Sequence, residues 1–257
     1  MIKIFALKAK DNFSEKVRGI CAQKNLYDAK HTRVFRDESV ILLSNGENNQ
    51  ESMFKTNDCV VISDCFISNR GQLLKNYDLD PRTENNELIL YLYKKKGNAF
   101  INELEGQFSI LVYDVISKEI FAYTDQFGIN PLYYSVQQDN DFFISSEIKA
   151  FKNLYFFRKS LNHKRVYDYL TTLTSVPELT FYDNVLKIKK GHFLQLNESH
   201  QCVSRQYYEL SPGKYHFTDY EDCVNQFNEI FKKTINEYES EAKTYSSITS
   251  GGLDSTS

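Results

Sequence analysis

The sequence predicts an α+β fold that continues into the first elements of an α/β domain. Short apolar segments alternate with polar turns between residues 107 and 145, which is typical of an antiparallel sheet. One strongly patterned helix is expected over residues 83–97, and the hydrophobic period becomes helical near residue 218. We therefore expect one domain over residues 1–210 and the start of a second over residues 211–257.

The first domain opens with a strand predicted over residues 2–7. Residues 45–57 are rich in Asn, Glu and Ser, and this composition predicts an exposed loop. A strong strand is predicted over residues 58–67, in which residues 59–62 form a buried apolar run, and a short helix over residues 72–77 follows it.

The helix over residues 83–97 carries apolar residues at helical spacing and three lysines in its last turn. Gly97 is expected to end it, and the lysines complement the helix dipole there. Five strands are predicted after this helix, with polar or glycine turns between them: residues 107–113, 120–124, 132–136, 142–145 and 193–197.

The second domain is expected to begin with a helix, after a linker marked by Pro212 and Gly213. Residues 218–221 form a capping-box pattern. The apolar residues that follow share one helical face: Val224, Phe227, Phe231, Ile235 and Tyr238. A strand over residues 244–249 and a glycine turn complete the opening of an α/β domain.

The glycine turn lies in the segment Ser-Gly-Gly-Leu-Asp-Ser at residues 250–255. Adjacent glycines among small residues suit a tight strand-to-helix turn whose backbone N–H groups face an anion, so we interpret the segment as a nucleotide phosphate loop. It is not the Walker type, because the loop contains no lysine. The alternative is an ordinary Ser/Gly-rich turn or a frayed terminus.

These six residues resemble the pyrophosphate loop of the ATP pyrophosphatases, which activate a carboxyl or carbonyl oxygen as an adenylate. The resemblance implies ATP and Mg²⁺ as cofactors. Four residues would hold the phosphates, namely Ser250, Gly251, Gly252 and Ser255. Asp254 would face the magnesium-bound pyrophosphate.

Four further blocks, in the right order, resemble the glutamine-dependent asparagine synthetase family. They are LEGQFSILVYD at residues 104–114, DQFGINPLYY at 125–134, SEIKA at 146–150, and PELTFY at 177–182 followed by KKGH at 189–192. The likeness covers roughly residues 58–257. It implies that the first domain is an Ntn-hydrolase-like αββα sandwich, with two antiparallel sheets between helices.

The sequence departs from this family where glutamine hydrolysis takes place. Members that hydrolyse glutamine carry Cys directly after the initiator Met, with the free α-amine as its base, whereas this chain has Ile2. The resemblance therefore implies a glutaminase domain without a catalytic residue, kept as a scaffold. Cys65 is the alternative thiol, and an interior structural thiol is the favoured interpretation of it.

The residues that hold glutamine in the family differ as well. The Asn-Gly-Glu of the family aligns with Ser63, Asp64 and Cys65, and its downstream Asp aligns with Asn85. No Arg lies between residues 37 and 69 to bind the glutamine carboxylate.

The family's adenylation domain continues well beyond the pyrophosphate loop, so we expect a fragment or a truncated gene. The leading hypothesis is an amide ligase: ATP adenylates a carboxylate, an amine attacks, and AMP and pyrophosphate leave. The amine would be free ammonia or an amine of the substrate, as in relatives that close β-lactams or lasso peptides. The alternative is a non-catalytic scaffold.

The composition of the chain limits the binding partners and the cellular location that we expect. A net charge of -3 gives no basic surface for nucleic acid, and no apolar run is long enough for a signal core or a membrane span. The five cysteines form no Cys-x-x-Cys pair, which disfavours zinc. We expect a cytoplasmic protein that acts on a small-molecule or peptide carboxylate, and a homodimer is left open.

Overall fold

The structure is a computed structural model. It describes residues 3–9, 13–16, 31–46, 52–137, 141–152, 154, 157–173, 178–211, 219–241, 244, 246 and 250–252.

Within these ranges, twelve strands form two antiparallel sheets of six strands each. In chain order the strands are β1 Lys3–Lys8, β2 Thr32–Arg36, β3 Val40–Asn45, β4 Met53–Lys55, β5 Cys59–Ile67, β6 Gly106–Asp114, β7 Glu119–Thr124, β8 Tyr133–Val136, β9 Phe142–Ser145, β10 Leu186–Lys187, β11 His192–Leu196 and β12 Cys202–Gln206. The first sheet has the order β10-β8-β9-β1-β3-β2, and the second has the order β12-β11-β7-β6-β5-β4.

The helices of the described residues lie before, between and after these strands. They are α1 Arg70–Asn76, α2 Asn85–Lys96, a 3₁₀ helix Gly97–Glu103, α3 Ile148–Lys152, α4 His163–Thr172 and α5 Tyr220–Glu241, and residues 13–16 are also helical. None of the helices in these ranges combines the length and the apolar character needed to span a bilayer.

In the described part of the first domain, three apolar cores lie between four layers of secondary structure. The central core lies between the sheets and contains residues of both, such as Ile4 and Val60. A second core packs the other face of the second sheet against α1 and α2, and a third packs the first sheet against α3 and Phe13. The expected αββα sandwich is confirmed.

Both faces of each sheet are covered, one by the other sheet and one by helices, and this explains the apolar runs in the sequence. Along β5, Val60 and Ile62 face the central core while Cys59 and Val61 face the helices. Successive strand residues point to opposite faces, so a strand that is buried on both faces reads as a continuous apolar run. The predicted strand at 58–67 and the predicted helix at 83–97 are both confirmed.

Gly97 ends α2 as expected. Its φ of 57° is a left-handed conformation that favours glycine, and its N–H donates to the carbonyl of Tyr93.

The prediction of an exposed loop over residues 45–57 was wrong in part. Met53–Lys55 forms the edge strand β4, which pairs with β5, and Ser52 and Met53 are buried. Three residues are too few to show a period among polar neighbours. Strands β2 and β3 were not predicted either, although Val40 to Leu43 form a buried apolar run.

The start of the second domain is only partly described. Helix α5 is confirmed, and the N–H of Glu221 donates to the Oδ1 of Asp219 at 3.2 Å. The linker at 212–218 and most of the predicted strand at 244–249 lie outside the described residues, so the domain boundary stays a prediction.

Two buried groups tie the first sheet to the second at one end of the sandwich. Lys8 on β1 donates from Nζ to the carbonyls of Lys118 and Asn197, at 2.7 and 2.8 Å, and burial lowers its pKa to about 8. The Tyr113 hydroxyl on β6 donates to the Asp37 carboxylate at 2.7 Å.

A fully buried carboxylate, Asp125, organises the turn after β7. Its Oδ1 accepts from the N–H groups of Phe127 and Ile129 at 3.0 Å. Its Oδ2 accepts from the N–H groups of Asn130 at 3.0 Å and Phe108 at 3.3 Å. Burying a charge is costly unless it is hydrogen-bonded, and this carboxylate has four backbone donors.

We expect Asp125→Asn to lower the free energy of unfolding by at least about 2 kcal/mol, because an amide nitrogen would face two N–H donors. The control is Asp114→Asn. Asp114 accepts from Ile116 and Ser117 through Oδ1 alone, which an asparagine retains, so its loss should stay below about 1 kcal/mol. Urea unfolding measures the free energy of unfolding of both variants. Equal losses in the two variants would contradict the role assigned to Asp125.

Candidate functional site

Three of the residues that align with the family's glutamine-binding residues, Ser63, Cys65 and Asn85, lie on β5 and the first turn of α2, where Asn86 joins them. Ser63 and Cys65 are two residues apart on β5, so both side chains lie on the sheet face that packs against the helices. Asn85 and Asn86 are the first two residues of α2. We call these four residues the β5 site.

A short chain of hydrogen bonds runs through the β5 site. The Ser63 hydroxyl donates to the Oδ1 of Asn86 at 2.7 Å, and its oxygen lies 3.2 Å from the Cys65 sulfur. A hydroxyl has one proton, and here it goes to the amide oxygen. The Cys65 thiol is therefore the donor to Ser63.

The surroundings of Cys65 keep this thiol protonated. Burial raises the pKa of Cys65 to about 11, and its hydrogen bonding with Ser63 and Asn85 offsets only part of that effect. A thiolate is the nucleophilic form of cysteine, and its fraction near neutral pH is very small at such a pKa. The arrangement gives Cys65 the properties of an interior thiol.

Asn85 presents a buried acceptor at the same place. Its Oδ1 receives no hydrogen bond from the described residues. An uncharged amide here supplies no negative charge for an α-amino group, in contrast to the Asp that aligns with it in the family.

The Asp125 turn supports β5 from the other side. The Asn130 side chain donates to the carbonyl of Asp64 at 3.1 Å, while the Asn130 N–H is held by Asp125. No role was predicted for Asn86 or Asn130. Their signals were the Asn pair at the helix start and the Asn before Pro131 in a block that the family shares.

The remaining predicted site residues lie elsewhere or outside the described ranges. Ile2, Asp254 and Ser255 are not among the described residues, and their predicted roles stay predictions. Ser250, Gly251 and Gly252 form an exposed bend.

The bend has the backbone that a glycine turn requires. Gly251 has a φ of +80°, and a Cβ placed there would meet no atom within 4 Å, so the conformation rather than crowding favours glycine. The Gly252 N–H lies 3.4 Å from the Ser250 hydroxyl oxygen.

We expect iodoacetamide to alkylate Cys65 about 100-fold more slowly in the folded chain than in the urea-unfolded chain at pH 8. The change of its pKa from 9.0 to about 11 lowers the thiolate fraction by that factor. Peptide mass spectrometry measures the rate at each cysteine. The folded rate should keep rising up to about pH 11, and a plateau below pH 9 would contradict the protonated thiol.

Comparison with known proteins places this geometry in a family. A family model described as a glutamine amidotransferase domain matches residues 18–208. The chain is 25% identical over 242 residues to asparagine synthetase [glutamine-hydrolyzing] 2 of Bacillus subtilis (strain 168), covering 89% of the chain and 32% of that protein. It is 26% identical over 201 residues to the asparagine synthetase [glutamine-hydrolyzing] of Mus musculus, covering 74% and 33%.

A shorter match concerns amidase chry2 of Gibberella zeae, which is 30% identical over 131 residues, or 50% of this chain and 19% of that protein. The chain thus spans at most about a third of the length of these relatives.

Solved structures share the fold at low sequence identity. The glutamine phosphoribosylpyrophosphate amidotransferase of B. subtilis superposes with a TM-score of 0.53 at 14% identity, and covers 80% of this chain and 49% of that one. An allosteric regulatory enzyme of purine biosynthesis superposes with a TM-score of 0.54 at 13% identity and the same coverage. The chain belongs to the glutamine amidotransferase domain family, and its domain is of the asparagine-synthetase type.

Proposed function

We propose that this chain serves an ATP-dependent amide ligase of the asparagine-synthetase type, and that its amidotransferase domain does not hydrolyse glutamine. The observation that carries the proposal is the β5 site, whose one thiol donates a hydrogen bond to Ser63. By its alignment with the family, the site would correspond to the glutamine pocket without the charged residues of that pocket.

Glutamine hydrolysis through a thioester needs an ionised thiol and a base beside it. Ile2 has no nucleophilic atom, and Cys65 has a pKa of about 11. At pH 7 only about one Cys65 side chain in 10⁴ would be ionised. The β5 site also contributes hydroxyl, thiol and amide groups, none of which carries a charge to pair with the α-amino and α-carboxylate groups of glutamine.

The ligase half of the proposal rests on the glycine turn. Its described residues fit a phosphate, since small side chains and a left-handed Gly251 allow close approach to the backbone. Ser250, Gly251, Gly252 and Ser255 would hold the phosphates, and Asp254 would face Mg²⁺. Bound Mg-ATP would supply the activation of a carboxylate as an acyl adenylate, with release of pyrophosphate.

Without glutamine hydrolysis, the amine must come from elsewhere. Free ammonia and an amine of the substrate itself are the two sources that this chemistry allows. The acceptor would be a carboxylate of a small molecule or of a peptide.

We expect the purified chain to release no glutamate from glutamine above the buffer background, because burial raises the pKa of Cys65 to about 11 and so keeps the thiol of the β5 site almost entirely protonated at neutral pH. A coupled glutamate assay measures this, with Cys65→Ser as the matched variant. Glutamate release that disappears in Cys65→Ser would contradict the proposal and identify Cys65 as a substitute nucleophile.

We expect Asp254→Asn to reduce pyrophosphate release from ATP by about 10² or more in the natural full-length protein, because an amide cannot supply the same charge to Mg²⁺. Glu239→Gln, an exposed carboxylate on α5, is the control and should leave the rate unchanged. Pyrophosphate release is assayed with ammonia and a panel of carboxylates. Full activity in Asp254→Asn would refute the assignment, and an inactive natural protein would favour the scaffold alternative.

A further inference from the structure

The last turn of α5 contacts the first domain next to the β5 site. The Tyr238 ring stacks on Phe66, with centroids 4.9 Å apart and an angle of 28° between the ring planes. The Glu241 Oε1 accepts from the Gly71 N–H at 2.9 Å, and its Oε2 lies 3.8 Å from the Arg70 guanidinium. These contacts join parts of the chain that are about 170 residues apart in sequence.

The rest of α5 is not packed in this way. None of its side chains is buried, and Phe227 and Ile230 are 64% and 66% exposed. An isolated helix is marginal in water, because most helix stability in proteins comes from packing of an apolar face. The contacts of Tyr238 and Glu241 therefore carry much of the attachment of α5.

The partners of the last turn lie near the β5 site. Phe66 follows Cys65 directly on β5, so its side chain points to the opposite face of the same strand. Arg70 also donates from Nη2 to the carbonyls of Thr83 at 2.6 Å and Pro81 at 3.1 Å, in the loop that leads into α2 and its two Asn residues. One guanidinium thus connects Glu241 with the loop that positions half of the β5 site.

Gly71 leaves the room that this contact needs. A Cβ added at Gly71 would lie 3.0 Å from the Oε1 of Glu241, closer than ordinary van der Waals contact. An alanine at this position would require the Glu241 carboxylate to shift by a few tenths of an ångström and would so weaken its contact with Gly71, although alanine is the better helix former inside α1.

We propose that Tyr238 and Glu241 form a docking contact, which positions α5 on β5 and on the first turn of α1, near the β5 site. Glu241 is a positioning residue in this arrangement. The docking itself does not depend on the proposed function, and only its consequence for ATP turnover does.

Hydrogen–deuterium exchange of the purified chain tests the docking contact. Glu241→Ala should raise the exchange rate of residues 220–241 and of the Gly71 amide about tenfold or more, as expected for loss of a hydrogen bond to a charged group. Glu239→Ala removes an exposed carboxylate from the same turn and should change neither rate. In both variants the amides of β5 and β6 should keep their protection.

Gly71→Ala tests the contact from the other side. It should raise exchange in α5 without raising the exchange of residues 73–76, because alanine favours the α1 helix while it displaces Glu241. Unchanged α5 exchange in both Glu241→Ala and Gly71→Ala would overturn the proposal. Faster exchange across β5 and β6 would overturn it as well, since it would show a general loss of stability.

ATP turnover in the natural full-length protein distinguishes failure of the docking contact from failure of the proposed function. Release of α5 in Glu241→Ala, in a protein that never consumes ATP, would support the docking contact and refute the ligase. Turnover that survives unchanged after release of α5 would refute the positioning role and leave the ligase in place.

Discussion

The described part of the first domain depends on the hydrogen bonds that the buried Asp125 carboxylate accepts from four backbone N–H groups. Asp125 is buried where β6, the turn after β7 and the approach to β11 meet, and its backbone carbonyl also accepts from the Gly191 N–H at 3.3 Å. Four N–H groups compensate for the burial of its charge. Because Asn130 belongs to the same turn and reaches Asp64, the charge that holds the turn also sets the position of β5.

The β5 site joins a strand and a helix through uncharged side chains. Ser63, Cys65 and Asn86 satisfy one another through hydrogen bonds, so the strand and helix remain joined without a substrate. Neutral groups can be buried there at lower cost than the charges that an amino acid substrate requires. Neutral side chains at these positions therefore suit a structural junction between β5 and α2.

Much of the fold follows from local sequence signals. The apolar run in β5 and the glycine after α2 are signals that span only a few residues, so both elements could be predicted from the sequence. The edge strand at Met53–Lys55 could not, because its pairing with β5 is a tertiary contact that polar neighbours conceal. The four family blocks identified the domain, and Ser63 and Cys65 were found by alignment. Their hydrogen bonds to Asn86 and Asn85 depend on how α2 crosses the sheet, which no spacing in the sequence expresses.

The buried ammonium of Lys8 has a consequence for the way the two sheets can move. The central core is apolar, and apolar contact has no preferred direction, so it resists separation of the sheets better than sliding of one over the other. Lys8 reaches from β1 to two turns of the opposite sheet with directional bonds, and Tyr113 adds a third with Asp37. These bonds oppose sliding of one sheet over the other. At that end of the sandwich, the two sheets therefore have a single position relative to each other.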